Sequence, residues 1–132
     1  MNDVQLTHQI IGAAIDVRRE LGPGLLEAVY EECMCYELTQ KTIAFERQKA
    51  IPVVYKGAKA DCGYRGDIIV CSRISIEIKA ISAVAPVHDA VMRTYLRLSG
   101  CKIGLLINSH SALLKDGIYR YVWKYEKPSK EN

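Results

Sequence analysis

The sequence predicts an α/β fold, a mixed β-sheet flanked by helices in the order α-α-β-β-β-α-β-β. Three observations carry this expectation. Apolar residues recur at helical spacing through residues 3–40, and two runs rich in β-branched residues follow at 65–70 and 74–80. Beyond a further helical stretch, Lys102 to Asn108 is a nearly continuous apolar run. Elements of these two periods in this order predict helices layered on a sheet.

From about Asp3 to Leu21, the residues Ile10, Ile11, Ala14, Ile15 and Leu21 mark a first helix. Gly22-Pro23-Gly24 ends it and starts a second, expected from Leu25 to about Gln40 with Leu25, Val29, Cys33 and Tyr36 buried. Thr42–Gln48 and Ala50–Tyr55 are strand segments with Pro52 near a bend or edge. Lys56-Gly57-Ala58-Lys59 is a turn. Arg65–Val70 and Ile74–Ala80 are strands joined tightly by Cys71-Ser72-Arg73. Pro86 to Ser99 is a helix with Gly100 as its C-terminal cap. Lys102–Asn108 suits a central strand buried on both faces. A loop, Ser109 to Leu114, leads to a last strand, Gly117 to Lys124, that bears Tyr119, Tyr121 and Trp123.

At 132 residues the chain suits one domain, with a core over about 5–123 and a basic tail over 124–132. An apolar share of 49% and a charged share of 25% are ordinary for a soluble protein. No apolar run approaches the ~20 residues of a membrane helix, and the N-terminus lacks the layout of a signal peptide. A cytoplasmic protein without membrane contact is expected. The net charge of +3 permits nucleic-acid contact, although no compact basic run stands out beyond Lys124, Lys127 and Lys130 in the tail. The five cysteines are odd in number and form no Cys-x-x-Cys pair, which predicts reduced thiols and argues against zinc or a disulfide framework. His8, His88 and His110 are scattered, so no histidine-led metal site or triad is suggested.

The chemistry gathers on the two central strands. In Ile74-Ser75-Ile76-Glu77-Ile78-Lys79-Ala80 the apolar residues alternate with Ser75, Glu77 and Lys79, so Glu77 and Lys79 share one face. A hairpin about Ser72 sets Ile68 and Val70 opposite Ile76 and Ile74, and Asp67 opposite Glu77, with side-chain stems roughly 5 Å apart. Facing carboxylates repel, and a divalent cation between them turns that cost into a binding site. Lys79 then offsets phosphate charge and positions the attacking water. The competing reading is a hairpin with one solvated face, and a one-residue slip in register would separate the two carboxylates.

The hairpin has the form Asp-x9-Glu-x-Lys, and its surroundings carry a resemblance. Gly24-Leu25-Leu26-Glu27-Ala28-Val29-Tyr30 fits Gly-x-x-Glu-x-x-Tyr. Ile51-Pro52-Val53-Val54-Tyr55-Lys56-Gly57 and Gly104-Leu105-Leu106-Ile107-Asn108 look like a strand with its turn and a later buried strand of the same family. The protein resembles the GxxExxY family of the PD-(D/E)xK nuclease-like superfamily over roughly residues 5–123. That resemblance implies a restriction-endonuclease-like core and a nuclease that uses Mg2+, or Mn2+, to hydrolyse phosphodiester bonds of nucleic acid, with DNA the expected partner. By similarity Asp67, Glu77 and Lys79 are catalytic, Asp67 and Glu77 hold the metal, and Glu27 adds an acidic ligand through water. Tyr30 then packs beside Glu27 or touches phosphate. The competing reading of Glu27 is a solvated helix residue beside Glu31 and Glu32.

The family's later helix carries Gln-x-x-x-Tyr. Here Tyr95 matches the tyrosine, but Val91 stands in place of the glutamine, and valine donates no hydrogen bond. His88, about one turn earlier, is a partial substitute or an exposed helix residue. The departure opens two alternatives: a module on this fold that binds nucleic acid without turnover, or a protein-interaction domain, such as a homodimer built on the aromatic last strand.

Overall fold

A computed structural model describes residues 1–60 and 62–123; the basic tail lies outside the described residues. Helix α1 spans Asp3–Leu21 and opens on a capping box in which Asn2 and Gln5 exchange side-chain and backbone hydrogen bonds of 2.8 and 2.9 Å. Gly22, at φ 78°, ends it. Helix α2 spans Glu27–Gln40, starting two residues later than the spacing predicts. Its buried face is also different. Tyr30, Glu31, Met34, Cys35 and Leu38 are buried, while Val29 and Tyr36 are exposed. Apolar residues lie on both sides of this helix, so periodicity alone could not choose between them. Partners chose instead: the Tyr30 hydroxyl donates to the Ala14 carbonyl of α1, and Glu31 pairs with Arg47.

The strands are β1 (Phe45–Ile51), β2 (Val54–Tyr55), β3 (Ala58–Lys59), β4 (Tyr64–Val70), β5 (Ile74–Lys79), β6 (Ile103–Asn108) and β7 (Ile118–Val122). Helix α3, Pro86–Ser99, joins β5 to β6 and ends at Gly100 in the left-handed region, φ 77°. One sheet runs in the order β1-β4-β5-β6-β7. It is mixed, because β5 and β6 are parallel and the other neighbours antiparallel. With helices on both faces this is the expected restriction-endonuclease-like fold. The two segments expected between Thr42 and Tyr55 are in fact one strand, β1, followed by a small separate hairpin, β2–β3. Lys56 and Gly57, both at positive φ, form the turn of that hairpin.

The β4–β5 hairpin has the predicted register: Ile68 pairs with Ile76, and Val70 with Ile74. Cys71 and Ser72 turn the chain at positive φ, and Arg73 N–H closes the turn on the Val70 carbonyl at 2.9 Å. The competing idea of a solvated sheet face is overturned. Ile74, Ile76 and Ile78 face α1 and α2 in one core. On the other side Ile69, Met92, Leu96, Leu106 and Tyr121 form a second core beneath α3, so Ser75 and Glu77 are buried too. All five cysteines are free thiols, as expected. Among the described residues no helix is long and apolar enough to cross a membrane.

Candidate active site

Below Ile68 and Ile76 the β4–β5 ladder stops, and Asp67 and Glu77 lie where the strands part. Asp67 is half-buried, and its Oδ2 accepts the Ile78 N–H at 2.9 Å. Glu77 is 3% exposed, and its Oε1 has no hydrogen-bond partner. Burial first, then the neighbouring Asp67 carboxylate, push the Glu77 carboxyl up to about 9, and Lys79 draws it partway back. An uncompensated acid in this position is costly, which makes it a candidate for chemistry.

Glu77 and Lys79 line a cavity of about 240 Å³ under α3, together with His88, Val91, Met92 and Tyr95. Burial, followed by the nearby Glu77 and Asp67 carboxyls, raises the Tyr95 hydroxyl to about 12. The Tyr95 ring meets Tyr64 edge-on, with centroids 5.2 Å apart. His88 sits in the first turn of α3, where its Nδ1 accepts the Ala85 N–H at 2.8 Å. In the neutral ring the proton therefore belongs on Nε2. Val91 presents only methyl groups to the cavity.

The chain leaving β5 is held at successive residues. The Lys79 carbonyl accepts the Ser109 N–H at 2.8 Å, and Ala80 N–H donates to Glu27 Oε1 at 3.0 Å. Asn108, itself buried, brackets Ile81 by accepting its N–H at 3.1 Å and donating to its carbonyl at 2.9 Å. Glu27 thus stands at the start of α2 as a backbone cap for the strand end that carries Lys79. Among the described residues no three His, Cys, Asp or Glu side chains gather closely enough to hold an ion, so Glu27 is not a third direct ligand in this arrangement. Tyr30 follows Glu27 by one turn of α2, but its hydroxyl is turned into the core. It is fully buried, bonded to Ala14, and its hydroxyl is raised far above the usual range by burial.

The sequence profile of the PD-(D/E)XK nuclease superfamily matches residues 4–121. The chain belongs to that superfamily. No curated protein and no solved structure matches it.

Nucleases of the PD-(D/E)XK superfamily generally use divalent metal ions, and the residues present suit one. Mg2+ takes oxygen ligands and commonly only one or two protein carboxylates, keeping water and phosphate for its other positions. Here a buried carboxyl oxygen lacks a partner beside a second carboxylate, with a lysine one pleat along. Several supporting residues escaped the sequence reading. Asn108 and Ser109 had a signal, as polar residues ending an otherwise apolar buried strand. Glu31 and Gln48 had none, because their place depends on tertiary pairing: Gln48 Nε2 bonds Glu31 Oε1 at 2.8 Å and faces Asp67 Oδ1 at 3.4 Å.

Proposed function

We propose that this protein is a metal-dependent nuclease that hydrolyses nucleic-acid phosphodiester bonds, with DNA as substrate, in the GxxExxY branch of its superfamily. The Glu77 carboxyl carries the reading: it is buried beside Asp67 and Lys79 with an oxygen left unpartnered. Asp67 and Glu77 would hold Mg2+ or Mn2+, with Glu27 reaching the ion through water. A bound ion of this kind acidifies water and offsets charge on the phosphate. Lys79 adds a fixed positive charge on the same strand. His88 supplies an N–H at Nε2, and Tyr95 an O–H that stays protonated at neutral pH.

A groove of about 550 Å³ supports a polyanionic substrate. Lys59, Tyr64 and Arg65 line it, and Tyr64 links it to Tyr95 at the site. Phosphates are held by such cations, and an exposed tyrosine offers a ring for base stacking.

Calorimetric titration with Mg2+ and Mn2+, wild type beside Asp67→Asn, tests the metal site, with one repeat in the presence of a short oligonucleotide. Binding confined to the wild type, with cleavage of DNA that is lost in Lys79→Ala, is the expected result. Cleavage by Lys79→Ala at the wild-type rate would overturn the assignment of roles.

One observation favours a second reading, a catalytically impaired module that binds nucleic acid or a protein partner: Val91 occupies the cavity wall without a donor. Steeply salt-dependent binding with no turnover decides for nucleic acid. For a homodimer, Tyr121 and Trp123 are committed to the core under α3, which leaves Tyr119 and Val122 exposed on the last strand.

A further inference from the structure

A polar bridge runs from the interior of α2 to Asp67. Glu31 is 6% exposed, and Arg47 Nε donates to its Oε2 at 2.5 Å. Gln48 Nε2 donates to the other oxygen, Oε1, at 2.8 Å and faces Asp67 Oδ1 at 3.4 Å. The orientation of that amide follows from its neighbours. Carboxylate oxygens lie on both sides, and only the NH2 end, with two hydrogens, can serve both. The contact with Asp67 is long, but its donor is anchored by the shorter bond to a buried acid.

The backbone at Gln48 is unusual as well. Its φ is 52°, in the left-handed region that glutamine rarely occupies. The β1–β4 ladder pairs Arg47 with Ile68 and Lys49 with Gly66, and leaves Gln48 and Asp67 out between them. The strained residue therefore sits directly across from the candidate metal ligand. Strain of this kind persists where the surroundings impose it, and it concentrates at functional sites. Gln48 also holds a second group: its carbonyl accepts from Arg65 Nη1 at 3.4 Å.

The geometry points to Gln48 as a positioning residue that orients the Asp67 carboxylate for a divalent cation, with the buried Glu31 as its anchor. This rests on the metal site of the nuclease reading. Asp67 is then held at both oxygens, Oδ2 by the Ile78 N–H and Oδ1 by Gln48, and each oxygen keeps a lone pair for an ion. Partners that orient a ligand in this way are commonly worth about 10–100-fold in metal affinity. Asparagine or glycine would suit that backbone better, but neither offers an amide that reaches both Glu31 and Asp67.

The test is calorimetric titration of the full chain with Mn2+ alone, wild type beside Gln48→Gly, with metal-free thermal unfolding of each. Glycine accepts the positive φ while removing the amide, so relief of backbone strain offsets part of the bond lost to Glu31. The fold should persist as the Mn2+ Kd weakens about 10–100-fold. Should Gln48→Gly fail to fold, Gln48→Asn carries the same test. It tolerates the backbone but is one methylene too short to span Glu31 and Asp67. Equal Kd values in variant and wild type overturn the inference and leave the metal site standing. Absence of Mn2+ binding in the wild type, both alone and in the repeat with a short oligonucleotide, overturns the inference and the nuclease reading together.

Discussion

Ile78 donates its backbone N–H to Oδ2 of Asp67 at 2.9 Å, so a side chain closes the sheet where strands β4 and β5 part. Asp67 therefore has a structural task beside its place next to Glu77, and substitution separates the two. Asp67→Asn keeps an oxygen for Ile78 but loses the charge. We expect stability within about 1 kcal/mol of wild type and loss of Mg2+ binding. Asp67→Ala leaves the buried N–H of Ile78 unmet and should cost about 1–3 kcal/mol. Denaturant titration beside calorimetry distinguishes the two variants.

Glu77 makes stability depend on pH in a defined direction. Its carboxyl is raised from 4.5 to about 9, mainly by burial. The folded protein thus holds a proton that the unfolded chain releases between those values. The contribution is fully present below about pH 4.5 and falls as pH rises toward 9, by at most about 1.4 kcal/mol per pH unit. Unfolding at pH 5, 7 and 8.5 should show this decline, and Glu77→Gln should flatten it. Divalent ions displace the same proton, so Mg2+ affinity should rise across that range by up to about tenfold per unit.

Val91 lines the cavity shared by Glu77, Lys79 and Tyr95. Val91→Gln introduces an amide there. If hydrolysis is limited by the missing donor, cleavage of supercoiled DNA in Mg2+ should rise about tenfold, the worth of one well-placed hydrogen bond. An unchanged rate would show that His88 or water already fills the role.

Tyr30 belongs to the core, and its variant should behave accordingly. Tyr30→Phe removes the hydroxyl that bonds the Ala14 carbonyl and should cost about 1 kcal/mol. Mn2+ affinity should not change. A weakened Kd without a loss of stability would return Tyr30 to the site.

What could be read in advance follows from what is local. Helix α1 and the caps at Gly22 and Gly100 are written in nearest neighbours, and so is the hairpin that sets Asp67 beside Glu77. The inner face of α2 was not legible, because Val29 and Tyr36 compete with Tyr30 and Met34 for the same role. Packing against Ala14 and Arg47 resolved it. Ser75 and Glu77 read as a polar sheet face and proved buried, since nothing in their own strand announces that α3 will cover them. Gln48 was invisible for a related reason: its meaning lies in Glu31 and Asp67, 17 and 19 residues away.

The covering of Glu77 by α3 has a kinetic side. The hairpin bearing Asp67 and Glu77 needs only a short loop, whereas β6 reaches β5 after a crossover through α3. Local contacts close first and distant ones later. Until the crossover docks, Glu77 is an ordinary ionised side chain. Docking buries that carboxyl beside Asp67 and so favours its protonated form, and refolding at neutral pH should take up protons. A pH-indicator dye in a stopped-flow refolding experiment would time the closing of the candidate site by that uptake.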